Sequence, residues 1–359
     1  MEDYAAMRNT LHAYREEFPG SPRLAESVYW EGWIVREDPE KQAALYRDAI
    51  RKHGVDASQW GVADMIRESI KNSTDRPALK AFFESLVGDD KPRALRLNSR
   101  WALSQLDPDQ QDEHLVAALP LVRPAEDNPL ILLDIAGALQ AAGRTDEAVA
   151  LYGDIRRWNP QHPSNDRVFA SLGLLELQRG NARAADKAFA RYFRETPATA
   201  LRGEVLVRSG DALLALNRPT EAAARYEEAL KEKSTPRRLK AEALLGMGSL
   251  HQQAGEPAKA AAYFQRVFVL YSAYPDLAAR AYLECANAMG QAGGPVEEAR
   301  VLLALVARDD PGEDAAQARI TARKRLDALP AAAVDSAKEK NAAAQMAEAE
   351  ALRNALSPP

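Results

Sequence analysis

Cysteine is nearly missing from this sequence. Cys285 is the single one among 359 residues, so neither a disulfide framework nor a four-thiolate metal site can form. Histidine is scarce too: His12, His53, His114, His162 and His251 complete the set. No two of them stand at ligand spacing and no His-Glu-x-x-His segment occurs, which removes the common zinc chemistries. There is no glycine-rich phosphate loop, because Gly293-Gly294-Pro295 reads as a turn with no strand before it and no lysine following. Alternating Val-Ile-Thr stretches, the mark of strands, are almost absent. No run approaches the roughly 18 consecutive apolar residues of a membrane-spanning helix. The net charge is −5. That balance supplies no drive toward a phosphate backbone and sets nucleic acid aside as a partner.

What remains is rich in Ala, Leu, Glu, Arg and Gln, with 46% hydrophobic and 28% charged residues. Such a chain favours helix and has enough apolar surface to bury. Its apolar, small and turn-forming residues return in a fixed order. One unit reads Leu132, Ile135, Ala136 and Leu139, then Gly143, then Ala148, Tyr152, Ile155 and Pro160. The next reads Phe169, Leu172, Gly173, Gly180, Ala185, Phe189, Tyr192 and Pro197. Three further units follow, with turns at Asn217, Gly255 and Gly294 and closing prolines at 236, 275 and 311. The units begin near 129, 166, 203, 241 and 280, in steps of 37, 37, 38 and 39.

The spacing has a physical meaning. Within each segment the apolar residues recur three and four apart, giving one buried stripe per helix. Gly173, Gly210 and Gly248 are expected where a first helix approaches its second closely. Ala148, Ala185, Ala222, Ala260 and Ala299 are expected to face them. The residue after the first helix, glycine or asparagine, is expected to end it in a left-handed conformation. The prolines are expected to stop the second helix. The residues beyond the basic period are expected in the loops or lengthened second helices at Gln161–Asn165, Ala198–Arg202, Thr235–Lys240 and Ser272–Ala279.

In this order of residues the chain resembles the tetratricopeptide repeat family, whose period is about 34 residues. The resemblance covers roughly 129–311 and implies an all-α, right-handed α-solenoid of helix-turn-helix repeats. Outside it, 1–54 is expected to hold further repeat-like helices, 55–128 diverged helical repeats, 312–330 a capping helix, and 331–359 an Ala/Glu-rich tail. For 55–128 the expected helices are Gln59–Lys71, Pro77–Val87, Pro92–Gln105 and Asp109–Val122, with Trp60 and Trp101 in the core. The capping helix, Ala315–Leu329, is assigned a stripe of Ala316, Ile320 and Leu326. In the tail Met346, Leu352 and Leu356 are the only large apolar residues past Val334, so it is expected to be a solvated helix or to fray, ending in Ser357-Pro358-Pro359.

Tyr4–Phe18 reads as a second helix without its first, so further repeats, an export signal or a membrane anchor are expected upstream of Met1. The segment Phe18-Pro19-Gly20-Ser21-Pro22 with Ala25, Tyr29, Trp30 and Gly32 resembles the repeat junction of bacterial envelope tetratricopeptide proteins, among them outer-membrane assembly lipoproteins. That likeness favours a periplasmic or envelope location over the cytoplasm.

The chemistry that remains points away from catalysis and from cofactors. Cys285 has no base three or four residues away and reads as a small buried apolar residue. The glutamate pairs read as solvated helix faces. The family resemblance implies an interaction scaffold that holds a protein or peptide in the groove lined by its first helices. Counting from each repeat start places Leu133, Arg167, Leu174 and Gln178 there, then Glu204, Arg208, Asp211, Glu242, Ser249, Gln252, Glu284 and Gln291. Ala170, Val207, Leu245, Ala281 and Ala288 fall beside them, and Leu133 and Leu174 are expected as apolar anchors. The Lys and Asn positions with which chaperone-type members clamp a peptide carboxylate are occupied here by other residues, so chaperone tails are not expected. Two alternatives stand beside the scaffold: a structural subunit or lipoprotein of an envelope complex, and an α/α helical hydrolase, which would need clustered acids at one end of a closed ring.

Overall fold

The computed structural model describes residues 4–195 and 199–356, with side chains to residue 348. Pro197, Ala198 and the 357–359 terminus of the sequence reading lie outside the described residues, as do the side chains of Leu352 and Leu356. Among the described residues there are nineteen α-helices and two short 3-10 turns, and no strand. The fold is an all-α repeat solenoid with two compact units, Met1–Leu175 and Glu176–Pro359.

The first unit holds α1 (Tyr4–Glu17), α2 (Leu24–Ile34), α3 (Pro39–His53), α4 (Val62–Asn72), α5 (Arg76–Glu84), α6 (Arg93–Leu106), α7 (Gln111–Ala118), α8 (Pro129–Ala141), α9 (Thr145–Trp158) and most of α10 (Asn165–Gln178). In the α2–α3 pair a Cβ built on Gly32 would stand 2.1 Å from the Tyr46 ring, so only glycine admits that tyrosine. The Tyr46 hydroxyl then donates to the Tyr29 carbonyl at 3.0 Å. Trp101 is buried, as expected, and its indole donates to Asp134 Oδ2 at 2.9 Å. Trp60 is not in the core. It is 63% exposed on the loop before α4, with the Arg23 guanidinium over its ring. α1 buries none of its residues. It is held to α2 by Arg8, His12 and Arg15, all three of which reach the buried carboxylate of Glu31.

The second unit continues with α11 (Ala182–Glu195), α12 (Arg202–Ala215), α13 (Pro219–Lys231), α14 (Arg237–Gln253), α15 (Pro257–Leu270), α16 (Pro275–Gly293), α17 (Pro295–Val306), α18 (Glu313–Ala328) and α19 (Ala331–Leu356). Each pair closes on small residues. A Cβ on Gly248 would lie 2.3 Å from the Phe264 ring, and one on Gly210 2.5 Å from Tyr226. Ala222, Ala260 and Ala299 are fully buried on the facing helices.

The turns are as expected and nearly identical. Gly143, Gly180, Asn217 and Gly255 have φ of 71°, 75°, 56° and 71°. At each, the next amide bonds back five residues, as in Arg144 N–H to the Leu139 carbonyl and Arg218 N–H to the Leu213 carbonyl. The turn amide itself bonds back three, which is the Schellman arrangement. Gly294 departs from it, with φ 81° and ψ −174° and a single bond to Gly290.

The structure corrects two expectations here. Pro236, Pro275 and Pro311 do not end second helices, because α13, α15 and α17 stop earlier, at Lys231, Leu270 and Val306. Pro275 opens α16 and Pro236 caps α14, positions where a missing N–H costs nothing. In these two repeats the residues beyond the basic period are taken up in part by longer first helices, of 17 residues in α14 and 19 in α16, whereas 161–164 lie in the loop before the 14-residue α10, as expected. The stripe of α18 is also shifted. Ala315, Ala318, Ala322 and Leu326 are buried, while Ile320 is 45% exposed and Ala316 only partly covered. α19 packs its first turns on α17 through Ala333 and Ala337, and the Asn341 amide donates to the Arg300 carbonyl at 3.1 Å.

Candidate functional site

First helices α12, α14 and α16 lie side by side in the second unit, and eight of the expected groove residues stand on them. Their sequences explain the face. Core positions take Leu206, Val207, Leu213, Leu244, Met247, Ala281 and Cys285, all buried. The positions between them are polar and stay at least partly open. On α12, Arg208 donates to Asp211 Oδ2 at 3.1 Å and across to Glu242 Oε2 of α14 at 2.6 Å. Asp211 also accepts the buried Tyr226 hydroxyl at 2.7 Å. Arg238 of α14 joins the same network, 3.5 Å from Glu242 and 2.5 Å from Asp276 of α16. Burial works against the Arg208 charge, but Glu242 and Asp211 outweigh it and hold the guanidinium more firmly protonated than usual.

Further along, Gln252 Nε2 of α14 donates to Gln291 Oε1 of α16 at 2.9 Å. Gln252 Oε1 is buried and finds no hydrogen-bond partner. Ser249 turns its hydroxyl back to the Leu245 carbonyl at 3.1 Å. Glu204 and Glu284 are partly open and form no ion pair among the described residues. The arrangement offers unpaired carboxylates and carboxamides along adjacent helices, the groups that bind an extended chain. Among the described residues no group of three His, Cys, Asp or Glu side chains could hold a metal ion.

The remaining expected residues are dispersed. Gln178 is exposed at the end of α10. Arg167 is exposed and faces Asp134 of α8 at 3.8 Å, and Leu174 is half-buried. Leu133 is not a groove residue: it is 1% exposed, inside the first core cluster. α8 is apolar on nearly every side, so its sequence does not mark the side left partly open, which carries Leu130, Asp134 and Gly137. Ala170, Val207, Leu245, Ala281 and Ala288 are buried as well, so they support the face from beneath and do not line it. Asp134, Arg280 and Asn287 were missed. Asp134 is the one acid of α8, four residues beyond Leu130, and an isolated charge in such a helix was the available signal. Arg280 and Asn287 are exposed on α16.

Cys285 is fully buried, and burial pushes its thiol up to about 12, so it is no nucleophile near neutral pH. His251 bonds Glu256 at 2.6 Å and stacks on Tyr263, a structural setting at the end of α14.

Paired helices, repeated and closed by the same turn, define a helical-repeat protein. Residues 242–273, within α14 and α15, match the family model described as Tetratricopeptide repeat. The fold is that of tetratricopeptide-repeat proteins. A similar solved structure is the C-terminal part of a TPR repeat-containing protein from Cytophaga hutchinsonii. It has 14% identity, covers 71% of this chain and 98% of that one, and has a TM-score of 0.50. PilF of Pseudomonas aeruginosa has 21% identity, 64% and 94% coverage and a TM-score of 0.43. YrrB, described as a TPR protein with an unusual peptide-binding site, has 15% identity, 59% and 99% coverage and a TM-score of 0.42. At these identities the likeness shows the fold alone. No curated protein matches the sequence.

Proposed function

We propose that the chain is a non-enzymatic interaction scaffold whose α12–α14–α16 face binds an extended segment of a partner protein. The supporting observation is a face that carries two open carboxylates, Glu204 on α12 and Glu284 on α16, and the Gln252–Gln291 amide pair, in which Gln252 Oε1 lacks a donor. A peptide in extended conformation brings backbone N–H groups to such acceptors at regular spacing, and basic side chains suit the two acids. Arg208 is already committed to Asp211 and Glu242, so it orders the face. The partner we infer is therefore a lysine- or arginine-bearing segment. We further place the protein at the bacterial envelope, from the likeness of the Phe18–Gly32 segment. Fractionation of native cells tests that assignment, and recovery only from cytosol would remove it.

The binding test is selection of a random peptide library on the intact chain. Selected peptides should be enriched in Lys and Arg. Reversing both acids, Glu204→Arg with Glu284→Arg, should weaken them at least tenfold. Selected peptides that bind the double variant as well as the original protein would overturn the reading.

A further inference from the structure

A recessed site lies in the first unit, on residues that the proposed face does not use. It is a cavity of about 220 Å³ between α3, α4 and the Ser73-Thr74-Asp75 turn that leads into α5. Its lining combines apolar residues, among them Ala43, Tyr46 and Leu79, with polar ones.

The polar groups fall into two kinds. Gln42 and Asn72 are engaged with the protein: Gln42 Nε2 donates to the Gly32 carbonyl at 3.1 Å, and Asn72 Nδ2 donates to Gln42 and Glu68. Arg47 Nε and Ser69 Oγ are not engaged. Both atoms are buried, both residues line the cavity, and neither atom has a hydrogen-bond partner. Ser69 is 8% exposed. Arg47 forms no ion pair among the described residues, a setting it shares with the partly buried Arg100, Arg156 and Arg319, but of these only Arg47 lines this cavity. Buried polar groups are ordinarily satisfied, and exceptions call for a partner.

The unmet groups specify that partner. Both can donate, and one belongs to an uncompensated cation, so the occupant is an anionic acceptor. Glu40 and Asp75 also line the cavity and disfavour a multiply charged anion such as phosphate. The volume is below the 300–1,000 Å³ typical of drug-sized ligands. The apolar lining suits a short alkyl stem. We infer that this cavity binds a single carboxylate on a short alkyl stem, with Arg47 Nε and Ser69 Oγ donating to its two oxygens. Such a group comes either from a glutamate side chain of a bound peptide or from a free small carboxylic acid.

The test reads the Arg47 Nε–H resonance of the intact, nitrogen-15-labelled protein, assigned by its loss in Arg47→Gln. Butyrate and the peptide N-acetyl-Gly-Glu-Gly-amide are titrated, with butyramide and the Gln peptide as uncharged counterparts. The resonance should move saturably with at least one carboxylate probe, and at least tenfold more weakly with its amide counterpart. Response to butyrate identifies a free acid as a sufficient ligand; response to the peptide alone identifies a side chain. Ser69→Ala should weaken the response severalfold while leaving the thermal midpoint within a few degrees. No movement with either carboxylate, or equal movement with the amides, would overturn the assignment.

Discussion

The Tyr226 hydroxyl donates to Asp211 Oδ1 across 2.7 Å, tying the buried wall of the α12–α13 pair to the polar face above it. The ring is clamped between two glycines, since a Cβ on Gly210 or on Gly246 of the next first helix would strike it at 2.5 Å or 2.4 Å. A single tyrosine thus sets helix spacing within one repeat, spacing to the next, and the orientation of an acid at the candidate site. Tyr226→Phe keeps the ring and removes the donor. Hydrogen bonds to charged groups contribute about 1.5–3 kcal/mol. Asp211 keeps Arg208 and is partly solvated, so the low end applies. We expect a loss of about 1.5 kcal/mol in urea unfolding and a severalfold weaker peptide affinity, because Asp211 is freed to rotate.

Gly248→Ala sets two effects against each other. Helix propensity favours alanine by about 1 kcal/mol. The new Cβ would lie 2.3 Å from the Phe264 ring, which is itself fully enclosed. Overpacking in such a site costs about 1–3 kcal/mol and wins. The variant should unfold at lower urea concentration than the original chain; an increase in midpoint would show that the pair can part without loss.

Asn217 holds a φ of 56° at the position where three other repeats carry glycine. A residue with a Cβ in this region loses about 1–2 kcal/mol, less for asparagine. Asn217→Gly should leave stability unchanged or slightly raised, whereas Asn217→Ala should lower it by about 1 kcal/mol. Thermal unfolding of the two variants, side by side, checks the order.

The attachment of α1 should depend on pH. Burial pushes the Glu31 carboxyl up, but hydrogen bonds from Arg15 and Arg8, with the charges of Arg15 and His12, outweigh it and hold it below the usual carboxylate range. A depressed acid stabilises the docked form above its unfolded pKa, and that stabilisation disappears as pH falls through the folded value. Tyr4 of α1 packs edge-on against Trp33 at 6.0 Å, which provides the readout. Tryptophan emission should change below about pH 4, and Glu31→Gln should show the acid-state emission already at pH 7. Identical spectra for both proteins at pH 7 would mean that other contacts hold α1.

Much of this was visible in the sequence where side chains differ sharply in size. Glycine against Tyr or Phe, and a glycine or asparagine at each turn, marked repeat register correctly from Gly143 to Gly255. Legibility failed where that contrast is missing. In α18 nearly every candidate is alanine, so Ile320 attracted the stripe to itself although solvent takes that side. In α8 the apolar residues surround the helix, and no pattern says which side is open. At the site, position along a first helix indicated which residues face outward. Which of them pair was not readable, because Arg208 to Glu242 and Gln252 to Gln291 join residues 34 and 39 apart.

The last pair of helices rests on Ala315, Ala318, Ala322, Ala333 and Ala337, with Leu326 the one large side chain buried in α18. Methyl groups let backbones come close but remove little oily area from water, about 25 cal/mol for each Å². α14 and α15, which interlock through Phe264, Leu244 and Val267, hide far more. The second unit therefore comes apart in a set direction, like a zip with its slider at the carboxyl end, and amide protons of α18 and α19 exchange before those of α14 and α15.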